Sequence, residues 1–135
     1  MKHLMTLFII PLFVFTSNPK KEDVLGKWKG DDQSEIGYIT FDNEGYATFE
    51  IQGQIIGGKE FTMNGKKGKM SYSINYDTTP IEVDFIVTKI ASKESKKILG
   101  IAEFIDNDTM RFALDFDAKR PTEFGDHTIL LERVK

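Results

Sequence analysis

The side chains that most often do chemistry near neutral pH are scarce in this chain: it has two histidines and no cysteine. Without cysteine there is no thiol nucleophile, no disulfide framework and no thiolate metal site. His127 follows Asp126 in a polar stretch. A serine triad there would need a serine brought to it, and no G-x-S-x-G elbow exists, so a solvated loop histidine is expected. Zinc needs about three or four protein ligands, and His and Cys are too few to supply them. Asp31-Asp32, Asp42-Asn43-Glu44 and Asp106-Asn107-Asp108 offer oxygens, but none has the ligand spacing of a calcium loop. They are read as turn residues, because Asp and Asn tolerate the backbone angles of turns. No catalytic residue, metal ligand or cofactor is assigned, and the chain is read as a non-enzyme.

Three segments remain with chemistry to weigh. Glu82 and Asp84 share one face of a strand, where paired carboxylates can do acid–base work if one is desolvated. Ile81, Val83 and Phe85 take the other face, so a solvent-facing polar side is the simpler reading, with Asp84 anchoring an interaction to Arg120 or Arg111. In Arg120-Pro121-Thr122-Glu123-Phe124, Pro121 fixes the chain, Phe124 can plug a barrel end and Arg120 can pair with Glu123. The segment is read as a lid or plug; the alternative is Arg120 facing a ligand carboxylate or phosphate. Residues 53–59 (GQIIGGK) are read as a glycine-rich loop carrying Ile55 and Ile56 to a barrel mouth. Lys66-Lys67-Gly68-Lys69 and the polar run 91–97 (ASKESKK) are read as solvated hairpin tips.

The elements that must position these residues are strands. Met70, Tyr72, Ile74 and Tyr76 alternate with polar residues, as do Ala47, Phe49 and Ile51. Ile81, Val83, Phe85 and Val87 form a third such set, and Met110, Phe112, Leu114 and Phe116 a fourth. A period of two places each set on one face of a half-buried strand. Asn64-Gly65 is a strong hairpin signal, and Pro80 stands where a strand begins. Strands are expected at 24–30, 35–41, 45–52, 58–63, 69–76, 80–90, 97–105, 109–117 and 128–134. A meander of this kind removes its edges by closing. The fold class is therefore all-β: a single antiparallel up-and-down β-barrel of about eight strands, with an open sandwich as the alternative.

Composition agrees. The chain has 135 residues, 40% hydrophobic and 12% aromatic, with a formal net charge of −3. That supports one packed domain and disfavours a broad basic surface for nucleic acid. Residues 1–17 (MKHLMTLFIIPLFVFTS) have a basic start, an apolar run and a small polar end, the layout of a secretory signal peptide. The run is short of the roughly 20 residues that span a bilayer. Cleavage is expected after Thr16 or Ser17, leaving a domain over 18–135 with no stable membrane anchor. An exported chain without disulfides suits a bacterial periplasm or cell exterior.

Gly26 and Trp28 form a G-x-W at the first strand, and Arg133 stands in the last strand. This resembles the lipocalin, or calycin, signature. The resemblance implies that Trp28 packs at the closed end of a barrel with Arg133 across its ring. The order of Pro80-Ile81-Glu82-Val83-Asp84, Gly100-Ile101, Asp108-Thr109-Met110-Arg111, Arg120-Pro121-Thr122-Glu123-Phe124 and Leu131-Glu132-Arg133 is similar to an uncharacterised lipocalin-like family of exported bacterial proteins. The chain departs from that pattern at Ala102, where an aromatic is common, and in lacking a cysteine after Met110. Gly26, Trp28, Asp84, Pro121, Phe124 and Arg133 are its structural signature here.

An eight-stranded barrel either fills itself with side chains or holds one small ligand. Phe41, Phe49, Tyr72, Phe85, Phe104, Phe112 and Phe116, with Arg120, are the candidate ligand-binding residues, and the hydroxyls of Tyr38, Tyr72 and Tyr76 could orient a ligand. The expected function is binding of a small apolar or amphipathic molecule in the barrel. The alternative is a filled barrel that binds a protein partner. Nucleic acid is not an expected partner, and the oligomeric state is open.

Overall fold

The computed structural model describes residues 21–31, 34–117, 119–126 and 128–135; the expected signal segment 1–17, Asp32 and His127 lie outside them. A 3₁₀ turn at Lys21–Val24 leads into nine strands. They are β1 (Gly26–Gly30), β2 (Ile36–Phe41), β3 (Ala47–Ile51), β4 (Gln54–Met63), β5 (Lys66–Asn75), β6 (Ile81–Lys89), β7 (Ser95–Asp106), β8 (Thr109–Asp115) and β9 (Ile129–Arg133). Each pairs antiparallel with the next, and β9 pairs back with β1, so the sheet is a closed barrel.

The inner face follows the alternation. Ile39, Phe41, Phe49, Met70, Val83, Phe85, Ala102, Met110, Phe112 and Leu131 are all buried, together with Trp28. In β2 the spacing from Ile36 to Ile39 breaks the period, and a bulge between Ile36 and Tyr38 returns Ile36 to the buried side. Asn64 and Gly65 have φ of 54° and 77° and join Met63 to Lys66 in the primed two-residue turn that matches strand twist. Gln52 and Gly53 do the same between Ile51 and Gln54, with φ of 52° and 79°.

Residues 53–59 are not the loop that their glycines suggest: from Gln54 onward they lie in β4. The reason is topological. In a closed ring of antiparallel pairs, direction must alternate, and nine straight strands cannot satisfy that. β4 resolves the conflict by changing partner and direction midway. Gln54 to Gly57 pair with β3, whereas Gly58 to Met63 pair with β5, across a register shift. Gly57 and Gly58 at the junction have φ of 114° and 83°, a region open to glycine and costly for other residues. Gly57 is also squeezed: a Cβ there would run into the Ala47 carbonyl oxygen and stand 2.7 Å from Met70 Cε.

Two ends follow from this topology. The closed end holds the 3₁₀ turn, the 42–46 and 107–108 turns and the end of β9. The mouth holds the β1–β2, β3–β4, β4–β5 and β6–β7 turns, the end of β8 and the start of β9.

Gly57→Ala is expected to cost about 2–4 kcal/mol, from left-handed strain plus a backbone clash. Gly53→Ala has the same strain but open space around it, and its cost should be only about 1–2 kcal/mol. Urea unfolding of both variants measures the difference.

Candidate functional site

At the closed end, β9 brings Arg133 beside β1, with Trp28 its register partner. The guanidinium carbon lies 4.4 Å from the indole ring centre, a cation–π contact. Its nitrogens donate to four acceptors in two chain segments: Nη1 to the Leu25 carbonyl at 2.8 Å, Nη2 to the carbonyls of Asp23 (2.7 Å) and Asn107 (2.9 Å), and Nε to Asp108 Oδ1 at 3.0 Å. The planar five-donor fork makes this possible; an ammonium could not span it. Trp28 Nε1 donates to the Val24 carbonyl at 2.9 Å, which seats Val24 over the barrel end. Lys135 and then Arg133 hold the Asp108 carboxyl below the usual carboxylate range. This is the Trp–Arg geometry expected from Gly26, Trp28 and Arg133.

The interior candidates divide. Phe85 is the hub: its ring centre is 4.8 Å from Phe49, 5.8 Å from Phe41 and 6.1 Å from Phe112. All four are buried, and they pack on one another where an enclosed ligand would sit. Tyr72 stands edge-on to Phe41 at 4.9 Å, and its hydroxyl donates to the Asp42 carbonyl at 2.8 Å. Burial and then Asp42 raise its pKa above the usual tyrosine value. Phe104 packs edge-on against Trp28 at the closed end, 6.1 Å away. Tyr38 lies on the outer face with Lys27 Nζ 4.3 Å from its ring centre. Phe116 does not join the interior: β8 ends at Asp115, and Phe116 beyond it is 49% exposed.

The segment containing Arg120, Pro121 and Phe124 is an external strap, not a plug. Arg120 Nη2 lies 2.8 Å from Asp84 Oδ1 and its Nε 3.6 Å from Glu82 Oε2, while Nη1 donates to the Gly100 carbonyl at 3.1 Å. Phe124 lies against Arg111, whose guanidinium carbon is 4.4 Å from the ring centre, and Arg111 in turn pairs with Glu103. The strap thus crosses the outer face of β6–β8, the face on which Ile101 and Ala113 are buried. Arg120 and the Glu82–Asp84 pair are used in holding it. The sequence carries a signal for this cover. Residues 98–102 (ILGIA) are apolar on both faces, as expected of a strand covered on both sides.

Accessible clefts lie at both ends: one of about 300 Å³ beside Gly45, Ile74 and Tyr76 at the closed end, and larger ones at the mouth. A cleft of about 490 Å³ opens beside Asp31, Glu35, Leu114, Phe116 and Asp126. A second, of about 360 Å³, runs from Phe116 past Val87 and Ile98 to Lys89, Glu94 and Lys96. Phe116 borders both. Among the described residues no group of three or more His, Asp or Glu could hold a metal ion, and no helix is long and apolar enough to cross a membrane. Fold and site together define a small closed antiparallel β-barrel with an aromatic centre and a cleft-bearing mouth. Comparison of the chain with protein-family models, with curated proteins and with solved structures finds no match.

Arg133→Met is expected to lower stability by about 2–4 kcal/mol, by stranding carbonyls that a charged donor now satisfies. Arg133→Lys should fall between, keeping charge but losing the fork. Because its folded-state pKa is lowered, Asp108 contributes stability that is present above the ordinary carboxylate range. That contribution is lost as pH falls through the lowered value. Melting temperature against pH should therefore drop less on the acid side in Asp108→Asn than in the parent.

Proposed function

We propose that the protein is an exported, lipocalin-like interaction module of the bacterial envelope that works through the mouth of a filled barrel. The observation that carries this reading is the packing of Phe85 against Phe41, Phe49 and Phe112 at the barrel centre. These are four of the eight candidates for binding a ligand, and Phe85 packs against the other three. Export rests on the signal-like segment at 1–17, and lipocalin kinship on the Trp28–Arg133 pair. The binding element is Phe116, a half-exposed aromatic ring bordered by the carboxylates of Asp31, Glu35 and Asp126. Exposed apolar surface with carboxylates along one side suits a protein partner that presents a basic residue beside an apolar one.

One observation favours a second reading, a small amphipathic anion held at the mouth. Val87, Ile98 and Phe116 offer an apolar wall and Lys89 and Lys96 offer charge in the 360 Å³ cleft. A carrier of this kind would use the rim rather than the interior.

A photo-crosslinking residue at position 116, with position 105 at the closed end as control, separates these readings in cells exporting the full chain. The module predicts a discrete protein adduct from 116 alone, and an organic-solvent extract of the purified protein without a stoichiometric small molecule. A stoichiometric amphipathic molecule in that extract, with no adduct, supports the carrier. Equal adducts from both positions contradict a mouth-specific site.

A further inference from the structure

Two lysine-rich runs that lie apart in the sequence are brought side by side by the fold. In the β4–β5 hairpin they are Lys66, Lys67 and Lys69; in the β6–β7 hairpin they are Lys89, Lys93, Lys96 and Lys97. The two hairpins lie side by side. Gly68 pairs with Lys89, and the Ile90 amide donates to the Lys67 carbonyl at 3.0 Å. All seven lysines are exposed. Over residues 60–69 and 88–97, the mouth ends of the two hairpins, their only acidic companions are Glu60, 3.9 Å from Lys67, and Glu94. The local charge is therefore +5, in a chain whose total is −3, so the rest of the chain carries −8. Apolar side chains stand among the lysines: Ile90 is 40% exposed, and Met63, paired with Lys66 across the turn, is 38% exposed. A cleft of about 530 Å³ between the hairpins is lined by Lys66, Lys67, Lys89, Ile90, Ser92 and Glu94.

We propose that the two lysine hairpins at the barrel mouth form a docking face for an anionic phospholipid surface. Charge complementarity commits the face to this occupant. Each lysine near such a surface strengthens binding about fivefold, an attraction that fades within a Debye length. The −8 on the remainder is repelled by the same surface, so it orients the molecule with the hairpins down. Ile90 and Met63 would enter the headgroup layer while the lysine stems lie along it, which nucleic acid would not reward. The cleft between the hairpins is polar and cationic enough to take a lipid phosphate. This face is separate from the acidic cleft beside Phe116, but it shares Lys89 and Lys96 with the 360 Å³ cleft, so Lys67, which lines only the cleft between the hairpins, is the residue that distinguishes the two.

Flotation of the purified exported protein with phosphatidylcholine vesicles, with and without phosphatidylglycerol, tests it. Binding is expected only with the anionic lipid and should be lost at high salt. Lys67→Gln and Lys89→Gln should each weaken it about fivefold, and Ile90→Ser should weaken it without changing the salt dependence. Lys27→Gln and Lys29→Gln, on β1, should leave it unchanged. Circular dichroism confirms that each variant is folded. Failure to float with anionic vesicles overturns the proposal, as does binding that Lys29→Gln weakens as much as Lys67→Gln. Retention on heparin or nucleic acid without flotation overturns it in favour of a polyanion.

Discussion

One guanidinium ties the first strand to the last. Arg133 lies on the face of Trp28 and donates to carbonyls from both the amino-terminal turn and the 107–108 turn. Barrel closure depends on the β1–β9 seam, which is short: only three residue pairs, from Trp28 with Arg133 to Gly30 with Leu131, make its register. A seam that short gains little from its backbone ladder. The side-chain clamp supplies the rest, and it explains why Gly26 and Trp28 must stand two residues apart. Gly26 has φ of 116° and sits against Arg133 Nη1, so the chain can turn tightly into the strand beneath the guanidinium.

With closure secured at one end, the middle is free to be packed. Phe85 occupies the axis with three aromatic neighbours, and burying such rings is worth about 1.5–3 kcal/mol each. A centre built this way leaves recognition to the rims. At the closed rim Arg133 holds the carbonyls of two turns, with a smaller cleft beside Gly45, Ile74 and Tyr76. At the mouth, side chains stand outside the core, with Phe116 beside three carboxylates on one side and lysines around Ile90 and Met63 on the other.

The strands are legible in the sequence because their inner faces are apolar and their outer faces polar, as in 69–76 and 109–115. The Trp28–Arg133 pair is legible only through the resemblance to the lipocalin signature; composition and periodicity do not pair them. β4 is hidden by the very residues that shape it: Gly57 and Gly58 erase the strand pattern and also permit the change of direction. Gln52-Gly53 does not read as a hairpin turn, since glutamine is an unusual residue at positive φ. Phe116 looks inward-facing only if the alternation is extended one residue past the end of β8. The strap is hard to place because Phe124 has the look of a plug. Its partner, Arg111, is a polar residue on an outer face, which periodicity marks only as solvated. Charge alone offers Asp84 either Arg120 or Arg111 and offers Arg120 also Glu123; the strap's path chooses Arg120 for Asp84.

The central claim is that the barrel is full and acts through its mouth. Binding of benzene to the parent protein and to Phe85→Ala, followed by chemical shifts of the methionine methyls, tests it most directly. The parent should bind none, while the variant, less stable by about 3–5 kcal/mol, should gain a site that shifts the methyls of the core methionines Met70 and Met110. Binding of equal strength in the parent would mean that a ligand cavity already exists and that the filled-barrel account is wrong.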